Sequence, residues 1–122
     1  MKRETVILEP ITPLLIAEIR NRIIEDLDPD QIILFGSSAR NHVKEPHDVD
    51  IYVIKEGIQD VREVERQIEE LFAGRLFALD VIVRTPAQVE AGLRGGNSFI
   101  SQQILAKGRL LYDKQQFKSG LS

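Results

Sequence analysis

The chain has 122 residues, 43% of them hydrophobic and 29% charged, an ordinary globular balance that excludes disorder along its whole length and gives room for one compact domain but not two. Its net charge of −3 excludes the basic stripe of a general nucleic-acid binder, so no direct nucleic-acid binding is expected; a site for one nucleotide stays open, because bound metal ions supply positive charge locally. There is no cysteine, which excludes disulfides, thiolate zinc sites and cysteine nucleophiles.

The opening residues, Met1-Lys2-Arg3-Glu4, lack the apolar run of a signal peptide. No later stretch approaches the roughly 20 apolar residues of a membrane span. A cytoplasmic protein without membrane contact is expected.

The first pattern is helical: Ile16, Ile19, Ile23 and Leu27 recur at spacings of three and four, forming one apolar stripe. Pro13 suits a first turn, and Asp28-Pro29-Asp30 closes the helix. Gln31 to Phe35 is a short apolar run ended by Gly36 and predicts a buried strand. Small and polar residues from Gly36 to His47 predict a turn and a loop. Asp48 to Ile54 is β-rich and predicts the second strand. Ile58, Val61, Val64, Ile68, Leu71 and Phe72 then form a second helical stripe.

Leu76 to Val83 is a third strand candidate. Thr85-Pro86-Ala87-Gln88 has the form of a capping box with proline at the first helical position, and that helix ends near Gly95-Gly96. A last helix is predicted from about Ser98 to Lys107, stopped by Gly108, followed by a short strand over Arg109 to Tyr112. The polar tail from about Asp113 is expected to fray. The order α-β-β-α-β-α-α-β predicts an α/β (α+β) fold: one domain over 1–122, with a small mixed sheet of about four strands flanked by helices. The first two strands should be antiparallel, and the helix over 58–72 allows a crossover to a parallel third.

Three aspartates carry the chemistry. Asp48 and Asp50 sit two apart at the start of a strand and so point the same way. Adjacent carboxylates repel unless a cation lies between them, and Mg²⁺ is commonly held by one or two carboxylates plus phosphate oxygens. Asp80 interrupts the otherwise apolar run Leu76 to Val83. If that strand lies beside Asp48–Ile54, Asp80 joins the other two as a metal platform for displacement at phosphorus. Gly36 lets a ligand approach the backbone closely, and Ser37 would open a helical turn facing phosphates. Each signal has a plainer reading: an acidic pair at a strand entrance is often only solvated, Asp80 could be a salt-bridge partner, Ser37 a helix cap, Arg40 a surface arginine, His42 and His47 polar loop residues, and Gly95-Gly96 a helix stop. Their combination and spacing favour the site.

Gly36-Ser37, ten residues, then Asp48-x-Asp50, within Leu34-Phe35-Gly36-Ser37-Ser38-Ala39-Arg40, resembles the signature of the DNA polymerase β-like nucleotidyltransferase superfamily. The resemblance covers Ile32 to Val83 in detail, and Phe99 to Tyr112 resembles the family's closing helix and strand. Asn41, where glycine is frequent, and His47, where serine is common, depart from it. The small size resembles the minimal nucleotidyltransferase branch, whose members are often antitoxins paired with HEPN toxins. The resemblance implies Asp48, Asp50 and Asp80 as catalytic metal ligands, with Asp80 also helping to activate the acceptor hydroxyl. It implies Gly36 and Ser37 on the triphosphate, with Arg40 as a further nucleotide contact, Mg²⁺ as cofactor and ATP as substrate. It also implies AMP transfer to a hydroxyl of a HEPN-type RNase toxin, since the chain has no helical domain left over for an acceptor. A binding-only antitoxin and a transferase for a small molecule such as an antibiotic, the latter acting as a homo-oligomer, are the competing readings.

Overall fold

The computed structural model describes residues 10–39 and 48–116. Helix α1 spans Pro13–Leu27, and the Thr12 side chain caps it by accepting from the Leu15 N–H. Its apolar stripe is the predicted one: Ile16, Ile19, Ile23 and Leu27 are all buried. Asp28 ends it with φ of 49°, a left-handed stop that aspartate tolerates.

Strand β1 (Gln31–Phe35) leads through a 3₁₀ turn (Gly36–Ala39) towards β2 (Asp48–Ile54). Helix α2 (Val61–Leu71), β3 (Ala78–Arg84), α3 (Pro86–Arg94), a π-helix (Phe99–Ala106) and β4 (Arg109–Asp113) follow. The sheet order is β3-β2-β1-β4. The pairs β1–β2 and β1–β4 are antiparallel, and β2–β3 is parallel. The α2 crossover makes that parallel pair possible, as the sequence predicts. No helix among the described residues is long and apolar enough to cross a membrane.

Alternation along the strands divides the side chains between two layers. Ile32, Leu34, Val49, Ile51, Val53, Leu79, Val81 and Val83 face α1 and α2 and form the main core. Ile33, Tyr52 and Ile54 point the other way, where Ile104 of the π-helix covers them.

Four expectations shift. Helix α2 begins at Val61 rather than Ile58, because Asp60 caps it: its Oδ1 accepts from the Arg62 N–H at 3.1 Å and the Glu63 N–H at 3.3 Å. Replacing Asp60 with Ala is expected to cost about 1 kcal/mol, read as a lower urea midpoint with an unchanged slope. Leu76 and Phe77 precede β3, and Phe77 packs into the core from the connection. The last helix is π-wound over Phe99–Ala106. The start of the tail is also tied down. Asp113 Oδ2 accepts from Gln31 Nε2 at 2.8 Å, and Lys114 bonds the Asp30 carbonyl through its N–H at 2.9 Å and Asp28 Oδ2 through its Nζ at 3.0 Å.

The sheet edge at β3 is managed by α2. Glu65 Oε2 accepts the Val83 N–H at 2.8 Å, which occupies a backbone donor that an edge strand would otherwise present to another chain.

Candidate active site

Where β1 ends, the chain must leave the sheet sharply. Gly36 does so with φ of 72°, a left-handed conformation that L side chains avoid. It is also the point of closest approach to β2, since a Cβ at Gly36 would overlap Asp50 Oδ2. The 3₁₀ turn that follows is anchored by the Ser38 hydroxyl, which donates to the Asp48 carbonyl oxygen. Sequence reasoning singled out Ser37 and missed Ser38. Two adjacent serines carry no local signal for which one reaches the neighbouring strand.

Asp50 is directly opposite Phe35 across β1–β2 and directly beside Asp80 across β2–β3. Neighbouring strands are about 4.8 Å apart, so the two carboxyl groups meet on the same face, away from α1 and α2. Asp50 is half-buried, whereas Asp48 and Asp80 are exposed. This changes the argument for Asp80. The cost of a charge within an apolar strand does not apply, because Asp80 lies on the open side of an edge strand whose alternate residues Leu79, Val81 and Val83 enter the core. Its position beside Asp50 is what gives it significance.

The electrostatics follow from this packing. The Asp50 carboxyl is raised from its ordinary 3.8 to about 6. Burial contributes most, then the hydrogen bond to Asp80, then repulsion from the Asp80 and Asp48 charges. Arg84, on the same face of β3, does not neutralise the pair. Its guanidinium is engaged by the Val83 carbonyl at 2.7 Å and by Glu65 at 3.5 Å.

Two carboxylates close enough to share a proton fit a hard divalent cation, which would remove their repulsion. Among the described residues no three His, Asp or Glu side chains, Asp48, Asp50 and Asp80 included, are grouped so that they could hold a metal ion together. A cage is not what Mg²⁺ requires, since it keeps several waters and phosphate oxygens beside one or two carboxylates. Asp50 and Asp80 are two such carboxyl groups side by side, and Asp48 stands two residues before Asp50 at the strand entrance. Gly36, Ser37, Asp48, Asp50 and Asp80 therefore fall in one region of the fold. Arg40, Asn41, His42 and His47 lie outside the described residues. A cleft of about 220 Å³ lined by Leu15, Arg22, Phe72 and Arg75 contains none of these carboxylates and lies on the α1–α2 side of the sheet.

The structure therefore brings an acidic pair to the head of a parallel strand pair, beside a glycine turn. The polymerase beta nucleotidyltransferase family model matches residues 17–117, and the chain belongs to that family. Its structure is similar to a Sulfolobus solfataricus protein assigned as a nucleotidyltransferase, at 18% identity and a TM-score of 0.58, covering 84% of this chain and 81% of that one. It is also similar to a chain in the complex of a tri-AMPylated Shewanella oneidensis HEPN toxin with an MNT antitoxin, at 19% identity and a TM-score of 0.51, covering 88% and 78%. A toxin–antitoxin structure with AMP-PNP matches at 20% identity and a TM-score of 0.51, covering 84% and 77%. At these identities the likeness is one of fold. No curated protein sequence matches the chain.

Proposed function

We propose that this protein is a Mg²⁺-dependent nucleotidyltransferase that moves AMP from ATP to a hydroxyl on a partner protein, a HEPN-type toxin that it thereby silences as an antitoxin. The observation that carries the reading is the Asp50–Asp80 pair beside Gly36: two carboxyl groups, one with its pKa raised to about 6, held where a backbone without a side chain leaves room. Perturbed carboxylates of this kind concentrate at functional sites. The fold shared with the AMPylated-toxin complex and with the AMP-PNP structure supports the choice of nucleotide and of partner.

Asp50 and Asp80 would hold the cation, with Asp48 completing the acidic rim. When bound, the ion supplies charge neutralisation on the phosphates and on the leaving pyrophosphate. Gly36 leaves the approach to Asp50 open, and Ser38 fixes the turn against the strand that bears the carboxylates. Exposed Asp80 would take the proton of the acceptor hydroxyl as its oxygen bonds to the α-phosphorus and pyrophosphate departs.

The test is to incubate the purified protein with Mg-ATP and its genetically adjacent HEPN-type partner, then weigh the partner intact. The partner is expected to gain one or more adenylyl groups, and to gain none with Asp48→Asn. A tight, neutralising complex with no mass change would instead establish a binding-only antitoxin. Neither complex nor modification would direct attention to small-molecule acceptors.

A further inference from the structure

The surface beside the carboxylates is aromatic on one side. Phe35 stands directly opposite Asp50 in the β1–β2 pairing, and opposed antiparallel residues bring their Cβ atoms to about 5 Å on a shared face. Phe99, the first residue of the π-helix, meets Phe35 edge to face, with ring centroids 5.7 Å apart and planes at 90°. Farther along that helix Ile104 is buried over Ile33 and Tyr52. Phe99 is 39% exposed. An edge-to-face pair leaves a ring face unstacked, and this open face lies beside the residue that stands opposite Asp50.

We propose that Phe99, backed by Phe35, is the surface on which the nucleobase of the bound nucleotide stacks. The inference rests on the reading of this site as one for Mg-nucleotide. Phe35 is next in the chain to Gly36 and directly across from Asp50. A planar group beside the residues that would hold the phosphates and the cation therefore belongs to the molecule that carries those phosphates. Stacking also suits a chain of net charge −3, which cannot draw nucleotide affinity from a broad basic surface. Because every base has a π-face, the surface predicts weak discrimination between adenine and guanine nucleotides.

Isothermal titration with Mg-ATP and with Mg-tripolyphosphate tests this on the intact chain. ATP is expected to bind more tightly than tripolyphosphate. Phe99→Ala should weaken ATP about tenfold and leave tripolyphosphate unchanged, whereas Phe99→Trp should retain ATP binding. Phe99→Leu keeps an apolar side chain without a ring and should behave as Ala does; thermal melts check that each variant is folded. The inference is overturned if ATP binds no better than tripolyphosphate, or if Phe99→Ala or Phe99→Leu binds ATP as the native chain does. It is also overturned if only transfer to the acceptor falls, which would make the surface an acceptor contact. Those results leave Mg-dependent tripolyphosphate binding, and with it the proposed function, standing. Binding of neither ligand would remove both.

Discussion

Replacing Asp50 with Asn is expected to abolish nucleotidyl transfer, by about a hundredfold or more, and at the same time to make the protein more stable at neutral pH. The second effect follows from the carboxyl group being raised from 3.8 to about 6. Folded Asp50 holds a proton up to about pH 6 that the unfolded residue releases near 3.8, so between those values the folded state binds more protons. Stability therefore falls as pH rises through that window, and the penalty of a charged Asp50 is fully present above it. Asn keeps the shape and a donor for Asp80 and carries no charge. After discounting for the solvent that reaches a half-buried group, the gain is about 1 kcal/mol, or roughly 4 °C in Tm at pH 7.5 in EDTA, vanishing near pH 4. Added Mg²⁺ should raise the Tm of the native chain and leave that of Asp50→Asn unmoved. Equal melts for the two proteins at neutral pH, with no response to Mg²⁺, would show that the Asp50–Asp80 pair is neither strained nor a cation site.

This opposition between stability and chemistry explains which parts of the molecule were legible beforehand. The stripe Ile16, Ile19, Ile23, Leu27 announces α1 because one helical face must be buried, and in the structure those four side chains are buried. The spacing from Gly36-Ser37 to Asp48 and Asp50 was legible for a different reason. Carboxylates two apart in a strand share a face whatever the rest of the sheet does, and a glycine after an apolar strand signals a turn. The meeting of Asp50 with Asp80 required a further condition, a parallel β2–β3 pair, which the helix between the two strands supplied.

The missing pieces depend on contacts distant in sequence. The Phe35–Phe99 pair joins residues whose own surroundings say only that one ends a strand and the other starts a helix. The exposure of Asp80 depends on β3 being an edge, which is a property of strand order. The early start of β4's onward connection, with Lys114 bonded back to Asp28 and Asp30, depends on the register of β4 against β1. Gly108 announces the end of the last helix, but not that it ends packed so closely on β1 that a Cβ there would lie 2.7 Å from Ile33 Cγ2.

Gly36 is where the fold and the candidate chemistry meet, and Gly36→Ala is expected to damage both. Two separable costs contribute. The φ of 72° is unfavourable for alanine by about 1–2 kcal/mol. The new methyl would also overlap Asp50 Oδ2, and relieving such overpacking costs about 1–3 kcal/mol more. Relief by moving Asp50 would separate it from Asp80, so transfer should be lost even in the fraction that stays folded. A double-mutant cycle distinguishes the two terms. In an Asp50→Ala background the overlap is gone, and Gly36→Ala should cost only the backbone part, leaving a coupling energy of about 1–3 kcal/mol in urea unfolding. If Gly36→Ala costs the same in both backgrounds, the methyl does not meet the carboxylate and glycine is required at this turn for its backbone alone. A coupling of the expected size would mean that the same absence of a side chain that lets β1 turn out of the sheet also leaves Asp50 where Asp80 can reach it.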